Sequence, residues 1–300
     1  ARLWADCLEP VPGFSGSIDF IHKMNIPDVF TVKCDRVPLF EPARIDWFPS
    51  HLKMEYADCF VHLTEVKYIT WDDCAVSRQS WENVGNRDIR IRLTAAGYFK
   101  LRGDGRYGGT IESESHHYRV RAVLSAGAVW KDGIVCLKPG EKIRFTVAAA
   151  FGIDGSDSDA ALESRASRAA GGRGDGARLA AAHAQEYQHW YDRMPAFRSS
   201  ETLLDKTWAY RWFILRHNLA APGYGNLPYP LFYEGRSHKM RKQPYHPEGW
   251  EFSKLIPLSV PMHLLDARWH YDTAACMGSL RNDRRSQDGD GIYHCMYVDR

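Results

Sequence analysis

The sequence lacks the features that mark membrane proteins and nucleic-acid binders. Its longest apolar stretches, such as AGAVW and FTVAAAF, are much shorter than the roughly 20 residues that span a bilayer, and no charged-then-apolar leader opens the chain. Lys and Arg number 39 against 37 Asp and Glu, without a long run of one sign. We therefore expect neither nucleic acid nor a membrane surface as a partner.

The sequence also lacks any CxxC pair. Its seven cysteines are scattered along 300 residues, and an odd number at irregular spacing is typical of reduced thiols rather than a disulfide framework or a zinc site. The DGDG segment near residue 290 has no regular calcium-loop spacing. No metal and no cofactor is predicted.

Aromatic residues, by contrast, are plentiful. Ten Trp, 15 Tyr and 13 Phe make up 13% of the chain, and many stand beside polar residues, as in YEGRSH, EGWEF and DARWHYD. Most are expected to pack in the interior. Aromatic faces beside Asp, Arg and His also suit a ligand that has apolar ring faces and many hydroxyl groups, and a sugar is such a ligand.

The first 155 residues have the pattern of an antiparallel β-sandwich. DIRIRL and KIRFTV alternate polar and apolar residues with the period of half-buried strands, and KPGEK, VGNRD and RGDGRYGG supply turns. No helical pattern separates these runs. We predict a sandwich domain over residues 1–155.

The pattern then becomes helical. Residues 156–198, rich in Ala, Ser, Gly and Arg, predict a linker of two helices around the GGRGDG break. From residue 199 onward, apolar residues follow helical spacing toward a stop at Pro222 and Gly223. These periodic residues are Leu204, Trp208, Trp212, Leu215 and Leu219. A second helix is predicted over roughly 264–280.

Between these helices lies a segment rich in Pro and Tyr, residues 224–258. Long irregular segments of this kind are often functional, although an ordinary proline-stiffened loop explains any single residue here. Trp250 is the strongest binding candidate, because its large face can stack on a ligand. The other candidates in this segment are Tyr233, Glu234, Arg236, Tyr245, His246, Glu248 and Glu251.

The segment LLDARWH completes a resemblance to a known group of enzymes. With a sandwich, a helical linker, a Trp-rich helix and a Pro/Tyr-rich segment before it, it resembles the inverting glycoside hydrolases that join a β-sandwich to an (α/α)6 barrel. Processing α-glucosidase I, trehalases and mannosylglycerate hydrolases belong to that group. Asp266, Trp269 and His270 match its aromatic-Asp-x-x-aromatic-His segment, whereas Leu265 replaces the tryptophan of many relatives.

The resemblance implies both a fold and a reaction. The fold is a β-sandwich followed by an (α/α)6-toroid domain over residues 199–300, and the reaction is hydrolysis of an oligosaccharide or glycoside with inversion. Asp266 takes the role of general acid. Arg268, Trp269 and His270, with the candidates of the preceding segment, are expected to bind substrate.

Breaking a glycosidic bond requires a protonated carboxyl group at the leaving oxygen and a carboxylate that activates water from the opposite face. Partial burial against Leu264, Leu265 and Trp269 favours the protonated form of Asp266, whereas Arg268 favours the ionised form if it faces the same carboxyl group. The balance between these effects depends on side-chain positions.

A purely structural role for Asp266 stays open at this point. An Asp near a helix start is often a cap or, with Arg268 nearby, one half of an ion pair. Asp272 is the reserve candidate for the acid. It lies six residues later, on the opposite side of an ideal helix, so both carboxylates cannot face one pocket.

The length of the helical part limits how much of a barrel it can form. Twelve helices of about 11 to 12 residues, with loops of about 4 to 6, need on the order of 200 residues, and residues 199–300 supply about half of that. We therefore expect an incomplete toroid. The water-activating carboxylate, which relatives place late in the barrel, is expected beyond residue 300.

Two functions of other classes remain as alternatives. A carbohydrate-binding or assembly module explains the sandwich and the aromatic residues, but not the polar segment before the second helix. A phosphorylase of the same architecture requires a basic anion pocket, for which Arg241 and Lys242 are the candidates. A polysaccharide lyase is less favoured, because those enzymes usually place the helical toroid before the sandwich.

Overall fold

A computed structural model describes most of the chain. The described residues are 1–5, 11–15, 18–26, 29–37, 41–101, 107–112, 118–126, 133–171, 176–235, 254–287 and 289–291. They form two compact units. The β unit consists of Leu3–Phe20 and Met24–Ala184, and the helical unit consists of Ala1–Arg2, Ile21–Lys23 and Gln185–Arg300.

The strands of the described chain are, in order, β1 (Leu3–Ala5), β2 (Gly13–Phe14), β3 (Ile18–Phe20), β4 (His22–Ile26), β5 (Phe30–Cys34), β6 (Arg44–Phe48), β7 (His51–Ala57), β8 (Val61–Ile69), β9 (Cys74–Asn83), β10 (Ile89–Ala95), β11 (Lys100–Leu101), β12 (Tyr107–Ile111), β13 (Val120–Ser125), β14 (Ile134–Leu137), β15 (Lys142–Ile153), β16 (Leu219–Ala220) and β17 (Leu231–Phe232). The helices are α1 (Asp159–Ala169), α2 (Gly176–Asp192), α3 (Thr202–Asn218), α4 (Val260–Ala267) and α5 (Ala274–Arg285).

The β unit is built on one large antiparallel sheet of eight strands in the order β11-β12-β13-β15-β9-β8-β7-β6. A four-stranded sheet in the order β14-β10-β5-β2 accompanies it, and β2 of the smaller sheet contacts β9 of the larger one. Within the smaller sheet, β2 lies close to its neighbour β5, because a Cβ atom on Gly13 would lie 2.5 Å from the carbonyl oxygen of Phe30. Glycine alone fits this position, which also has a φ of 99°.

Helix α1 packs on the large sheet through small and branched side chains. Leu162, Ala166 and Ala169 of α1 form one apolar cluster with sheet residues such as Val76 and Ala148. The helix begins where the Ser158 hydroxyl accepts a hydrogen bond from the backbone N–H of Ala161, the usual action of a serine N-cap.

The predicted order of an antiparallel sandwich followed by helices is confirmed. β10 shows the expected alternation of buried and exposed residues, and after β15 ends at Ile153 the next element is a helix beginning at Asp159. The five cysteines that the structure describes are free thiols. No helix of the described chain is long and apolar enough to cross a membrane.

The helical unit has a core of tryptophans and small residues. Trp190 of α2 and Trp212 of α3 are buried edge to face, with ring centroids 6.3 Å apart, and the Trp190 indole N–H donates to the Trp212 carbonyl oxygen at 3.0 Å. Ala267 of α4 and Ala275 of α5 pack against these tryptophans in the same cluster. The predicted core role of Trp212 is therefore confirmed, whereas Leu204, also predicted on the buried face, is 52% exposed.

The single helix predicted over 264–280 is wrong. α4 ends at Ala267, α5 begins at Ala274, and a turn separates them. The physical reason is a set of local hydrogen bonds that compete with the helix. The Asp272 carboxylate accepts from the Ala274 N–H at 3.0 Å, and the Asp272 N–H donates to the ring of His270 at 3.1 Å.

Candidate functional site around Asp266

Asp266 lies in the last turn of α4. The helix carries Pro261 in its first turn, where the missing N–H has no intrahelical partner to lose. It buries Val260 and Ala267 against the rest of the helical unit. The side chain of Asp266 remains 42% exposed, so it is accessible to water and to a ligand.

The partner of the Asp266 carboxylate is Arg211 of α3. One guanidinium nitrogen, Nη2, donates to both carboxylate oxygens, at 2.5 and 2.6 Å. Arg268, the partner that the sequence suggested, instead lies over the Trp269 ring with its guanidinium carbon 4.8 Å from the centroid. Because a guanidinium only donates hydrogen bonds, the Asp266 carboxyl oxygens are the acceptors in both contacts.

The Arg211–Asp266 ion pair is an exposed one. The two side chains are 57% and 42% accessible, and ion pairs in water typically contribute only about 0 to 1 kcal/mol. Opening this pair is therefore inexpensive compared with breaking a buried pair.

A histidine, His263, is affected by the charges of both Asp266 and a second carboxylate, Glu234. His263 precedes Asp266 by three residues on α4, the spacing at which helical side chains are neighbours. Glu234 follows β17, and its N–H donates to the Lys254 carbonyl oxygen at 3.2 Å. Burial lowers the pKa of His263, and the charges of Glu234 and Asp266 oppose that shift. The net effect favours the neutral form of the His263 ring.

Trp269 and Arg268 form the exposed part of the site. Trp269 is 60% exposed, and the guanidinium of Arg268 covers its ring, an arrangement stabilised by attraction between the cation and the aromatic face. An exposed indole with an adjacent cation offers both a stacking surface and hydrogen-bond donors to a polar ligand.

His270 is buried, unlike the exposed Arg268 and Trp269 that precede it. It is 3% exposed, and its ring stacks on Trp190 at a centroid distance of 4.0 Å. Nε2 lies 3.0 Å from the Trp190 carbonyl oxygen, and Nδ1 lies 3.1 Å from the backbone nitrogen and 3.2 Å from the carbonyl oxygen of Asp272. These contacts anchor the turn after α4 to α2.

Tyr233 is also buried, with no measurable exposure, in a cluster with Leu255 and Val260. In this conformation Tyr233 and His270 support the elements that carry the site rather than line its open surface. Trp250 and Arg236 lie outside the described residues. The same holds for Tyr245, His246, Glu248 and Glu251.

Asp272, the reserve candidate, lies at the beginning of α5. One carboxylate oxygen accepts from the Ala274 N–H at 3.0 Å, and the other lies 3.8 Å from Nη1 of Arg193. Its contacts are those of a residue that begins a helix.

Sequence reasoning missed two residues of this cluster, Arg211 and His263. The spacing of His263 and Asp266 on one helix was a sufficient signal for the histidine. Arg211 lies 55 residues before Asp266, and no local pattern links the two. Among the described residues, no group of three or more His, Cys, Asp or Glu side chains is arranged to hold a metal ion.

No protein-family model matches the sequence, and no curated protein matches it. Among solved structures, a protein described as a kojibiose phosphorylase from human microbiome is similar over 62% of this chain and 27% of its own, with 12% identity and a TM-score of 0.45. A polysaccharide lyase is similar over 55% of this chain and 34% of its own, with 11% identity and a TM-score of 0.34.

This chain thus spans about a quarter to a third of the length of those two proteins. Both TM-scores are below 0.5. The fold is therefore defined by the strands and helices of this chain and not by its similarity to these two proteins. The names of both proteins denote enzymes of carbohydrate chemistry.

Proposed function

We propose that the protein is a glycoside hydrolase in which Asp266 is the general acid. The observation that carries this proposal is the position of the Asp266 carboxyl group. It is partly exposed at the end of α4, three residues from an exposed indole at Trp269 and within electrostatic range of His263, which Glu234 also influences. An acidic group beside an aromatic face suits protonation of a sugar's leaving oxygen.

Arg211 must leave Asp266 before this chemistry can occur. With both carboxylate oxygens bonded to the guanidinium, no proton is available for the leaving oxygen. In the proposed mechanism a bound substrate takes the hydrogen bonds of Arg211, and the released carboxylate takes up a proton from solvent, which it then gives to the leaving oxygen. The low cost of opening an exposed ion pair makes this exchange feasible.

The roles of the other site residues are assigned by whether their side chains are exposed or buried. Trp269 stacks on a sugar ring and Arg268 donates to its hydroxyl groups, while Glu234 borders the site next to His263. Tyr233 and His270 contribute by fixing β17 and the turn after α4. In the (α/α)6 architecture that we propose for the helical unit, a later carboxylate activates water, and attack from the opposite face inverts the anomeric carbon.

A carbohydrate-binding module without catalysis is the second candidate function. The Arg211–Asp266 ion pair favours it, because a permanently paired carboxylate is structural and leaves Trp269 and Arg268 as the groups available to a ligand. In this alternative the protein retains a sugar but does not change it.

Product analysis separates these functions. The protein is incubated with gluco- and manno-oligosaccharides, with and without inorganic phosphate, and the products are followed by proton NMR from the first minutes. The proposal predicts free sugar whose first-formed anomer is inverted. A retained anomer contradicts the inverting mechanism, since retention requires a nucleophilic carboxylate about 5 to 5.5 Å from the acid.

Two other outcomes overturn the proposal in favour of an alternative. Sugar phosphate that forms only when phosphate is present identifies a phosphorylase. Retention on an immobilised oligosaccharide without any product identifies a binding module. An Arg268→Ala variant serves as the matched probe of binding, because it removes a donor of the exposed surface and leaves Asp266 and Arg211 intact.

A further inference from the structure

Arg211 holds Asp266 with only part of its hydrogen-bonding capacity. Nη2 donates to both carboxylate oxygens, and within the described part of the chain the N–H groups of Nε and Nη1 make no hydrogen bond. The side chain is 57% exposed, so a ligand can reach the guanidinium. An arginine often binds a carboxylate through two of its nitrogens, with one nitrogen for each oxygen. The pair with Asp266 is therefore not the strongest one that this guanidinium can form.

A carboxylate of a ligand can form the bond that Asp266 does not form. If it accepts from Nη2 together with Nε or Nη1, each of its oxygens has its own donor nitrogen, in the planar arrangement to which a guanidinium is suited. A hydroxyl group of a neutral sugar is a single oxygen and brings no charge. Replacement of Asp266 at Nη2 of Arg211 is therefore favoured for an anionic group over a neutral one.

The charge that remains beside Asp266 leads to the same conclusion. A cation next to a carboxyl group favours the ionised form, and an anion favours the protonated form. When a neutral hydroxyl group takes the bonds of Arg211, the guanidinium charge stays uncompensated beside Asp266. When a carboxylate takes them, it compensates that charge and lies close to Asp266, which favours uptake of the proton that a general acid needs.

Arg268 supplies a second cation at the same surface. It is exposed, its guanidinium carbon lies 4.8 Å from the centroid of the Trp269 ring, and no carboxylate of the described chain pairs with it. By contrast, the exposed Arg44 of β6 is paired with Asp46 at 2.9 Å. An exposed indole beside a cation that lacks a counter-ion suits a sugar ring that carries a negative charge.

We propose that the substrate of the site carries a carboxylate, as in a uronic acid residue next to the scissile bond, and that Arg211 binds this carboxylate in place of Asp266. The inference rests on the proposed function and names its substrate class. Binding of the acidic sugar releases Asp266 from the ion pair. Asp266 then takes up a proton from solvent and gives it to the leaving oxygen. Arg211 thus selects the substrate that frees the acid.

Binding tests the inference without any turnover. The ligands are oligosaccharides of glucuronic or galacturonic acid and the methyl esters of the same compounds, which keep the shape and lose the charge, and calorimetry measures the affinity. The wild type is expected to bind the acids at least about 10-fold more tightly than the esters, the scale of one hydrogen bond to a charged group. Arg211→Gln is expected to abolish this preference. Arg211→Lys, which keeps the charge but not the planar fork, is expected to retain part of it.

Arg44→Gln is the matched control, because Arg44 is also an exposed arginine paired with an aspartate but belongs to the β unit. It is expected to leave the preference for the acids unchanged. Equal affinities of the acids and the esters in the wild type, or a preference that persists in Arg211→Gln, overturn the proposal. Inorganic phosphate is tested as a competing anion, and tighter binding of phosphate than of the acidic sugars overturns the choice of a carboxylate.

Hydrolysis separates this result from failure of the proposed function. If the protein hydrolyses acidic glycosides, Arg211→Gln is expected to lower the ratio of kcat/KM for the acid to that for its methyl ester by about 10-fold or more. Hydrolysis of the esters that is as fast as that of the acids overturns this inference and leaves the role of Asp266 intact. Acidic sugars that bind through Arg211 without release of any product overturn only the proposed function.

Discussion

Glu65 and Lys67 lie two residues apart on β8, on the face of the large sheet that is turned into the sandwich. Both are buried, with side chains 0% and 1% exposed, and Lys67 Nζ lies 3.5 Å from Glu65 Oε2. The Gly13 N–H and the Ser77 hydroxyl donate to Glu65 Oε1 at 2.7 and 2.6 Å, and Lys67 donates to the Val11 carbonyl oxygen at 2.7 Å. The pair thus connects the N-terminal segment to the sheet interior.

Replacing Glu65 by Ala is expected to lower the free energy of unfolding by about 3 to 5 kcal/mol, because it removes the negative charge beside the buried Lys67 ammonium. Urea denaturation measures the change. The matched control is Glu82→Ala in the exposed pair with Lys142, whose atoms are 3.0 Å apart, and it is expected to have little effect.

The double variant Glu65→Gln with Lys67→Met tests whether the loss of stability comes from leaving one charge of the pair buried. Because it removes both charges, it is expected to cost less than Glu65→Ala alone. Equal losses for Glu65→Ala and the exposed Glu82→Ala contradict the buried-pair argument.

At the scale of elements, α5 is fixed to β17 and to the segment before it by hydrogen bonds to their backbone. Asn282 accepts from the Tyr229 N–H at 3.2 Å and donates to the Tyr229 carbonyl oxygen at 2.9 Å. Ser279 accepts from the Phe232 N–H at 3.2 Å. Gly278 permits this approach, since a Cβ atom there would lie 1.8 Å from the Pro230 carbonyl oxygen.

Gly278→Ala is therefore expected to destabilise the protein by about 1 to 3 kcal/mol, the usual cost of overpacking. Helix propensity alone predicts the opposite, a gain of about 0.5 to 1 kcal/mol. Thermal or urea unfolding decides between the two. Gly97→Ala, where a Cβ atom meets nothing within 4 Å, is the control, and a stabilised Gly278→Ala protein contradicts the packing argument.

The elements that could be predicted from the sequence are those with a clear period. Alternation in β10 and apolar spacing in α3 each identified the correct element, because those residues pack against a surface with the same repeat. The division between α4 and α5 could not be predicted in this way. It depends on the Asp272 and His270 side chains, which bond to nearby backbone groups and to Trp190 in another helix.

At the scale of the whole molecule, strands come first and helices follow, with the short β16–β17 pair inside the helical unit. This order could be predicted because the change of hydrophobic period falls at one place in the chain. The expected partial burial against Leu265 and Trp269 is not found, because those side chains are 51% and 60% exposed. The placement of Asp266 on a helix could be predicted. Its bond to Arg211 could not, since only the packing of α3 and α4 brings those residues together.

The most direct measurement of the central claim compares two substrates in one variant, Asp266→Asn, which keeps the side-chain shape and removes the proton. Hydrolysis of an oligosaccharide, a poor leaving group, is expected to fall by about 10²-fold or more, whereas hydrolysis of a nitrophenyl glycoside, which needs little protonation, is expected to fall much less. Asp272→Asn is the matched control and is expected to affect both substrates equally. If Asp266→Asn slows both substrates to the same extent, or neither, Asp266 is not the general acid.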